Sequence, residues 1–174
     1  VLTLYMWFCS KIVSYVRIRK PFSYIPYMLH TLHQSTSHIY IDDLEQKQEG
    51  KLYMNGPGVF NFTITKVPDL ITSFSKSLNQ DISEWDFVLL HQPNKFIIDH
   101  IYKKIKVNEN AAFSNINKFG NTPSASIPLL ISDLGQKINT ETRVLGAGFG
   151  VGLSWAATNI TFSKNFTSLH ITKT

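Results

Sequence analysis

The chain has 174 residues, of which 43% are hydrophobic, enough apolar material to bury one core, and this predicts a single domain. Its net charge of +5 comes from scattered lysines and arginines, and no basic stripe with interleaved aromatics is present, which argues against a nucleic-acid-binding protein. A solvated basic surface or an acidic protein partner accounts for the charge. Cys9 is the only cysteine, so the sequence has neither a disulfide framework nor the Cys/His spacing of a metal site, and we expect a reducing, cytoplasmic location.

The first stretch, residues 1–16, is rich in apolar residues but does not fit a signal peptide or a membrane anchor. Lys11 interrupts it, and it is shorter than the roughly 20 apolar residues that a membrane-spanning helix needs. Arg17 and Arg19 follow the apolar part rather than precede it, and a small-residue cleavage site is missing. We therefore predict a buried strand or helix here and no association with a membrane.

Residues 21–50 are polar and follow the period of neither a helix nor a strand. They include His30, His33 and His38, whose spacing matches no established pattern of metal ligands. We predict an exposed loop for these histidines, and the run from Asp42 to Gly50 has the composition of a solvated connection.

An orderly pattern begins at Lys51. A turn at residues 55–58 is followed by apolar residues at helical spacing, which predict a helix with one buried face. Pro68 lies inside this pattern and should kink the helix or break it. The apolar positions are Val59, Phe62, Val67, Leu70, Ile71, Phe74 and Leu78.

The apolar run Phe87–Leu90 predicts a strand that is buried on both faces, as the strands of parallel sheets are. His91 then lies at the carboxyl end of this strand. Pro93 suits the first turn of a following helix, where a missing N–H costs nothing. The apolar face of that helix consists of Ile97, Ile98, Ile101, Tyr102 and Ile105, and its lysines for solvent or a partner are Lys95, Lys103, Lys104 and Lys106.

The next unit repeats this plan. Residues 111–116 predict a short strand, Gly120 and Asn121 follow it, and a helix should begin with Thr122 as its cap and Pro123 as its first residue. Pro128 lies deeper in this helix, so we expect a local kink there.

The last unit consists of residues 143–149, a Gly-rich segment at 148–152 and a strand-like run at 153–162. A dinucleotide-binding fingerprint would need a helix after the glycines and a later acidic residue, so the strand-like run argues against it. The glycines more plausibly allow a tight turn whose backbone amides are exposed to a ligand.

Three loop segments carry a resemblance to a known family: His91-Gln92-Pro93-Asn94, Phe119-Gly120-Asn121-Thr122-Pro123-Ser124 and Gly148-Phe149-Gly150-Val151-Gly152-Leu153-Ser154-Trp155. In order and spacing they resemble the C-terminal half of beta-ketoacyl-acyl-carrier-protein synthase III, the condensing enzyme that starts fatty-acid chains. The resemblance implies an α/β, thiolase-like fold. It divides the chain into a poorly matched segment, 1–50, and a C-terminal ketosynthase III domain, 51–174.

The resemblance also implies a reaction, the decarboxylative Claisen condensation of malonyl-acyl-carrier protein with an acyl thioester. In that family malonyl thioester loses carbon dioxide, and the resulting enolate needs fixed hydrogen-bond donors. The matching donors here are His91, through an imidazole N–H, and Asn121, through its amide. The substrates would be pantetheine thioesters of CoA or acyl carrier protein, without a metal or a further cofactor.

Four other positions match functional positions of the family. The turn Gly150-Val151 matches the backbone N–H that stabilises the tetrahedral intermediate at the acylated cysteine. Asn94 and Phe149 match positions that line the pocket and the pantetheine tunnel, and their alternative roles are a helix cap and a core aromatic.

The sequence also departs from the family pattern. Val151 replaces a residue that is often Gly, and Phe96 stands where relatives often have an Arg that contacts the carrier protein, so docking would rely on Lys95 or on other lysines. No segment resembles the Ala-Cys nucleophile element, and Cys9 lies in an apolar stretch without the positive neighbours that activate a thiol.

These departures leave more than one function open. The chain would act in condensation with acyl carrier protein as its partner, as a homodimer or together with a half that carries the nucleophile. The alternative is a catalytically silent, truncated ketosynthase subunit that binds a carrier protein or a complete synthase. A general α/β binding domain fits the composition but ignores the three ordered segments.

Overall fold

The computed structural model describes residues 51–135, 137–150, 153–164 and 166, and before them only the backbone of four short strands. In chain order its elements are β1 (Leu2–Thr3), β2 (Arg17–Ile18), β3 (Tyr27–Thr31), β4 (Ile39–Asp42), β5 (Lys51–Met54), α1 (Gly56–Ser77), a 3-10 turn (Ile82–Glu84), β6 (Phe87–Leu90), α2 (Lys95–Ile105), β7 (Ala112–Phe113), α3 (Ile116–Phe119), α4 (Ser126–Leu134), β8 (Thr142–Gly150) and β9 (Ser154–Phe162).

A five-stranded mixed sheet organises these elements, with the strands in the order β3-β9-β8-β6-β7. Strand β6 is parallel to both of its neighbours, β7 and β8. Strands β8 and β9 form an antiparallel hairpin, and β3 adds to β9 in antiparallel orientation. Two separate pairs, β1 with β2 and β4 with β5, are also antiparallel.

The core lies on both faces of this sheet, and β6 contributes to each. Val88 and Leu90 belong to the cluster that α1 and α2 cover, whereas Leu89 belongs to the cluster that α4 covers. All three side chains are fully buried. The prediction of a parallel strand buried on both faces is therefore confirmed.

Helix α1 has the predicted apolar face and runs through Pro68 without a break. Asn55 caps it, because its Oδ1 accepts a hydrogen bond of 2.9 Å from the Gly58 N–H. Pro68 has no N–H for the carbonyl of Ile64, four residues earlier. Lys104 of α2 supplies the missing donor, because its Nζ donates a hydrogen bond to the Ile64 carbonyl oxygen at 2.9 Å. Of the two predicted effects, a kink or a break, the break is wrong, and a neighbouring helix satisfies the freed carbonyl.

Two predicted helix starts also need correction. Helix α2 begins at Lys95 with Asn94 as its cap, so Pro93 precedes the cap instead of lying in the first turn. Helix α4 begins at Ser126, after a turn in which the Thr122 carbonyl accepts the N–H groups of Ala125 and Ser126. Pro128 is consequently in the first turn of α4, where its missing N–H has no helical partner to lose, and the reason for a kink disappears.

The prediction of a loop is wrong for His30, and Asp42, predicted to begin a solvated connection, belongs to a strand. Strand β3 contains His30, which lies opposite Trp155 of β9, and β4 pairs with β5. The pairing of β3 with β9 joins segments more than a hundred residues apart, so a local search for periodicity does not find it. His33, His38, Cys9 and residues 43–50 lie outside the described residues, as does the prediction for most of residues 1–16. In the part of the chain that the structure describes, no helix is long and apolar enough to cross a membrane.

Candidate active site

The carboxyl ends of the three parallel strands meet at one edge of the sheet and bring the candidate residues there. His91 directly follows β6, Gly150 ends β8, and Asn121 lies in the connection between α3 and α4 that follows β7. The backbone N–H of His91 donates to the Ala147 carbonyl of β8 at 2.9 Å, which continues the sheet past the end of β6. In open α/β sheets this edge is where ligands bind.

His91 is a partly buried, neutral imidazole. Its Nδ1 lies 3.1 Å from Oγ of Ser126, and its ring meets the Phe149 ring edge-on, with centroids 5.3 Å apart. Burial lowers the pKa of His91 to about 4, because the apolar surroundings disfavour the charged form. At neutral pH the ring therefore carries one N–H and one lone pair.

Asn121 follows a backbone bend at Gly120. Gly120 ends α3 with φ +66° and ψ −160°, a conformation that is almost restricted to glycine. Asn121 itself is exposed, and its side chain forms no hydrogen bond among the described residues. The adjacent Thr122 accepts a 2.7 Å hydrogen bond from Ser126 Oγ at its carbonyl. Ser126 thus contacts both His91 and the residue next to Asn121.

Polar contacts hold the two connections that carry His91 and Asn121. Gln92, which is 1% exposed, donates from Nε2 to the Leu90 carbonyl at 2.8 Å and accepts a 2.6 Å hydrogen bond from the Ser114 hydroxyl. It thereby ties the end of β6 to the end of β7. A glutamine two residues after a buried strand is the only sequence signal for this role.

Helices α3 and α4 are tied together on either side of the Asn121 connection. Asp133 of α4 accepts a hydrogen bond from Asn115 Nδ2 at 3.0 Å and pairs with Lys118 Nζ at 2.9 Å. Asp133 is mostly buried, with a side chain 14% exposed, so this pair is better shielded from water than a surface ion pair. Both ends of the connection are therefore fixed.

In the structure Asn94 is a helix cap and Phe149 is a core aromatic, which are the alternative roles that the sequence left open. Asn94 is exposed and caps α2, with Oδ1 accepting from the Ile97 N–H at 2.9 Å. Phe149 is 5% exposed and belongs to the core cluster, although its edge also contacts His91. Their roles in substrate binding stay predictions. Val151 lies outside the described residues, whereas Gly150 pairs with Ser154 across the hairpin.

Phe96, at the position where relatives often have Arg, lies on the outside of α2. It is 68% exposed and stacks on Phe60 of α1, with ring centroids 6.1 Å apart. Its neighbour Lys95 forms an ion pair of 2.6 Å with Asp99. Within the described ranges, no group of three His, Cys, Asp or Glu side chains could hold a metal ion.

The order of these segments matches one protein family. A model described as 3-oxoacyl-[acyl-carrier-protein (ACP)] synthase III C terminal matches residues 76–162, a range that contains His91, Asn121 and Gly150. The chain belongs to this synthase III family. The match begins inside α1 and ends with β9, so it covers the parallel strands and their connections.

Curated relatives in the synthase III family are longer than this chain. The beta-ketoacyl-[acyl-carrier-protein] synthase III of Prochlorococcus marinus (strain MIT 9215) is 35% identical over 121 residues, which cover 67% of this chain and 36% of that protein. The synthase III of Lactococcus lactis subsp. lactis (strain IL1403) is 31% identical over 150 residues, or 84% of this chain and 40% of that protein. The chain therefore spans well under half the length of these relatives.

Solved structures confirm a thiolase-like α/β fold. The 3-oxoacyl-(acyl-carrier protein) synthase from Burkholderia xenovorans LB400 superposes with a TM-score of 0.73 at 27% identity, over 82% of this chain and 45% of that one. Synthase III from Thermus thermophilus gives a TM-score of 0.74 at 23% identity, over 87% of this chain and 50% of that one. Both similarities cover about half of a complete synthase.

Proposed function

We propose that this chain supplies the enolate-stabilising part of a 3-oxoacyl-acyl-carrier-protein synthase III site. The observation that carries the proposal is His91, a neutral imidazole at the carboxyl edge of the parallel strands. Its Nδ1 is occupied by Ser126, while Nε2 has no partner among the described residues and is not among the fully buried atoms. Nε2 is therefore available to a ligand.

In the proposed step, the bond between the carboxylate and the α-carbon of a malonyl thioester breaks. Carbon dioxide leaves, and the electron pair forms an enolate whose charge lies largely on the thioester oxygen. His91, through Nε2–H, and Asn121, through its amide, donate hydrogen bonds to that oxygen. The enolate carbon then attacks an acyl thioester and expels a thiolate, which regenerates the nucleophilic cysteine.

A neutral histidine suits this step better than a charged one. An imidazolium could transfer its proton to the enolate and so quench the carbon nucleophile before condensation. A neutral imidazole has a far less acidic N–H, which stabilises the oxyanion by a hydrogen bond without giving the proton away. The low pKa of about 4 keeps His91 in this form across the physiological range.

Condensation also needs an acylated cysteine and a carrier of the malonyl group. The described part of the chain contains no cysteine, because Cys9 lies outside it. The proposed partners are therefore acyl carrier protein and a nucleophile-bearing half, supplied by another chain or by further sequence. The exposed side of α2, with Phe96 and the lysines near its end, is the surface that we propose for the carrier protein.

The test is release of carbon dioxide from malonyl-acyl-carrier protein by this chain, since decarboxylation needs the enolate site but not the cysteine. We expect His91→Ala and Asn121→Ala each to lower the rate about a hundredfold, as the loss of one oxyanion donor does. Asn110→Ala is the matched control, because Asn110 is exposed and only its backbone N–H forms a hydrogen bond. Malonyl-pantetheine in place of the carrier-bound substrate separates the chemistry from docking of the carrier protein.

The result of this assay distinguishes an enolate-stabilising site from a catalytically silent subunit. Release that both site variants abolish, and that Asn110→Ala retains, supports the enolate site. A chain that circular dichroism shows to be folded but that releases no carbon dioxide above background contradicts it. That result would favour the silent subunit that binds a carrier protein or a complete synthase.

A further inference from the structure

Gln92, the residue after His91, is a polar side chain in a place where an apolar one would be expected. It is 1% exposed, and among the largest fully buried side chains of the described residues it is the only polar one. A buried amide costs free energy unless it is hydrogen-bonded, whereas a methionine of similar length has no such requirement. Packing alone therefore does not account for a glutamine at this position, and its hydrogen bonds indicate a further role.

The amide of Gln92 joins two strands at the place where their backbone pairing ends. The ladder between β6 and β7 ends with the pair of Leu89 and Phe113. In the same register, the next pair would be Leu90 and Ser114. Gln92 bridges these two residues, because its Nε2 donates to the Leu90 carbonyl at 2.8 Å and its Oε1 accepts from the Ser114 hydroxyl at 2.6 Å. The side chain thus continues the connection between the strands by one residue pair.

The partners of this amide also determine its orientation. The Leu90 carbonyl can only accept a hydrogen bond, so it must face the NH₂ group of Gln92, and the amide oxygen is left for the Ser114 hydroxyl. An exchange of the amide oxygen and nitrogen would place two acceptors against each other at Leu90. Both hydrogen bonds therefore need a glutamine amide in this one orientation.

The bond to Ser114 also bears on Asn121, which lies seven residues later in the chain. Oγ of Ser114 lies 3.5 Å from the backbone nitrogen of Ile116, the first residue of α3. Helix α3 then leads through a single glycine to Asn121. Gln92 therefore holds the near end of the segment that carries Asn121, while its own neighbour in the chain is His91.

We propose that Gln92 and Ser114 are positioning residues that set the separation between His91 and Asn121, so that both donors reach the same oxygen. The inference rests on the proposed function for its purpose, because only a shared ligand makes this separation matter. A misplacement of about 1 Å in a reactive site costs about a hundredfold in rate, so about half that displacement costs about tenfold. The bond from Ser114 to Gln92 is short and ends on a side chain fixed in the core, which suits it to hold the two connections within such a limit.

The test compares Gln92→Met in two backgrounds, with malonyl-pantetheine at saturation so that docking of a carrier protein does not enter. In the otherwise unchanged chain we expect Gln92→Met to lower kcat for carbon dioxide release about tenfold. In an Asn121→Ala background the same substitution should lower kcat about twofold or less, because the remaining donor has no second donor with which it must align. A merely structural loss would instead reduce the rate by the same factor in both backgrounds.

Ser114 supplies a second variant at an exposed position, where folding is less at risk. Ser114→Ala should lower kcat in the same pattern as Gln92→Met, and Ser114→Thr, which keeps the hydroxyl, should restore it. Ser75→Ala is the matched control, because Ser75 is also 1% exposed and accepts a hydrogen bond of 2.9 Å from Trp85 Nε1. Trp85 precedes β6 and so lies at the opposite edge of the sheet from the site. This control should lower stability and leave kcat unchanged.

Equal factors in the two backgrounds, or a kcat that neither Gln92→Met nor Ser114→Ala changes, overturn the proposal. If the wild-type chain releases no carbon dioxide, the proposed function fails, and NMR without substrate decides the positioning separately. The side-chain amide signal of Asn121 should then move in Gln92→Met and Ser114→Ala but not in Ser75→Ala. A signal that stays in place in all three variants overturns the positioning.

Discussion

At the scale of single residues, the partly buried imidazole of His91 makes folding less favourable at acid pH. The imidazole is held in surroundings that exclude its charged form, and its pKa falls from the ordinary 6.5 to about 4. The physical cause is burial beside Phe149 and Ser126 rather than a charged neighbour. A group of this kind makes the stability of the fold depend on pH.

The sign of that dependence follows from proton binding. Between about pH 6.5 and pH 4 the unfolded chain binds a proton at His91 that the folded chain does not, so acid favours unfolding. We predict that the free energy of unfolding falls by about 2 kcal/mol more between pH 7 and pH 4.5 in the wild type than in His91→Gln. Urea denaturation at the two pH values measures this difference. Equal losses in both proteins would show that His91 is not desolvated.

Gly120 is the second residue whose local structure predicts a measurable effect. Its φ of +66° strains any L residue, and an added Cβ would meet nothing within 4 Å, so strain is the only penalty. We predict that Gly120→Ala lowers the free energy of unfolding by about 1–2 kcal/mol. Gly56→Ala is the control, because its Cβ would also meet open space but its φ is not positive. This control should stabilise the first turn of α1 slightly. If Gly120→Ala and Gly56→Ala changed the free energy of unfolding equally, the predicted backbone strain at residue 120 would be contradicted.

At the scale of elements, helices α1 and α2 depend on one another at Pro68. The bond from Lys104 to the Ile64 carbonyl replaces the helical hydrogen bond that Pro68 cannot make. We predict that Lys104→Met costs about 0.5–1 kcal/mol of stability, whereas Lys103→Met, at an exposed neighbour in the same turn, costs less. In a Pro68→Ala background, where an N–H is restored, the cost of Lys104→Met should shrink. Thermal or urea denaturation of the wild type, the two single variants and the double variant measures this difference. If Lys104→Met costs the same stability in the wild type and in Pro68→Ala, Lys104 does not replace the missing helical hydrogen bond.

The elements also show why some of the fold could be predicted and some could not. The β6 run and the apolar faces of α1 and α2 are local patterns, and residues 87–90, 56–77 and 95–105 fold as their periodicity indicates. Strand β3 pairs with β9, more than a hundred residues later in the chain, and local patterns do not encode such a pairing. The break at Pro68 was wrong for the same reason, since Lys104 acts from another helix.

In the candidate site, too, local patterns indicate some residues, whereas the roles of others depend on contacts between distant segments. His91 and Asn121 could be located because each follows a predicted strand or turn and matches a family segment. Ser126 and Gln92 were missed, because their roles depend on contacts with His91, 35 residues away, and with Ser114, 22 residues away. A buried serine or glutamine has no sequence pattern that distinguishes it from an exposed one.

At the scale of the whole molecule, the described part of the chain is built on a five-stranded sheet with helices on both faces and the candidate residues at one edge. It covers 36% to 50% of the synthase III proteins and structures compared above. The site proposed here accordingly consists of the oxyanion donors of a condensing enzyme, and the described residues include no cysteine to carry the acyl group that the enolate attacks. The central claim is that His91 and Asn121 bind one and the same oxygen.

The most direct test is an NMR titration of the chain with a malonyl-pantetheine analogue that has an N–H group in place of sulfur, a stable amide that cannot transfer its acyl group. The account predicts that the Nε2–H signal of His91 and the side-chain amide signal of Asn121 shift together with one dissociation constant. The signals of His100 and Asn110 should stay unchanged. A shift of only one of the two donors, or of neither in a folded chain, would contradict the account.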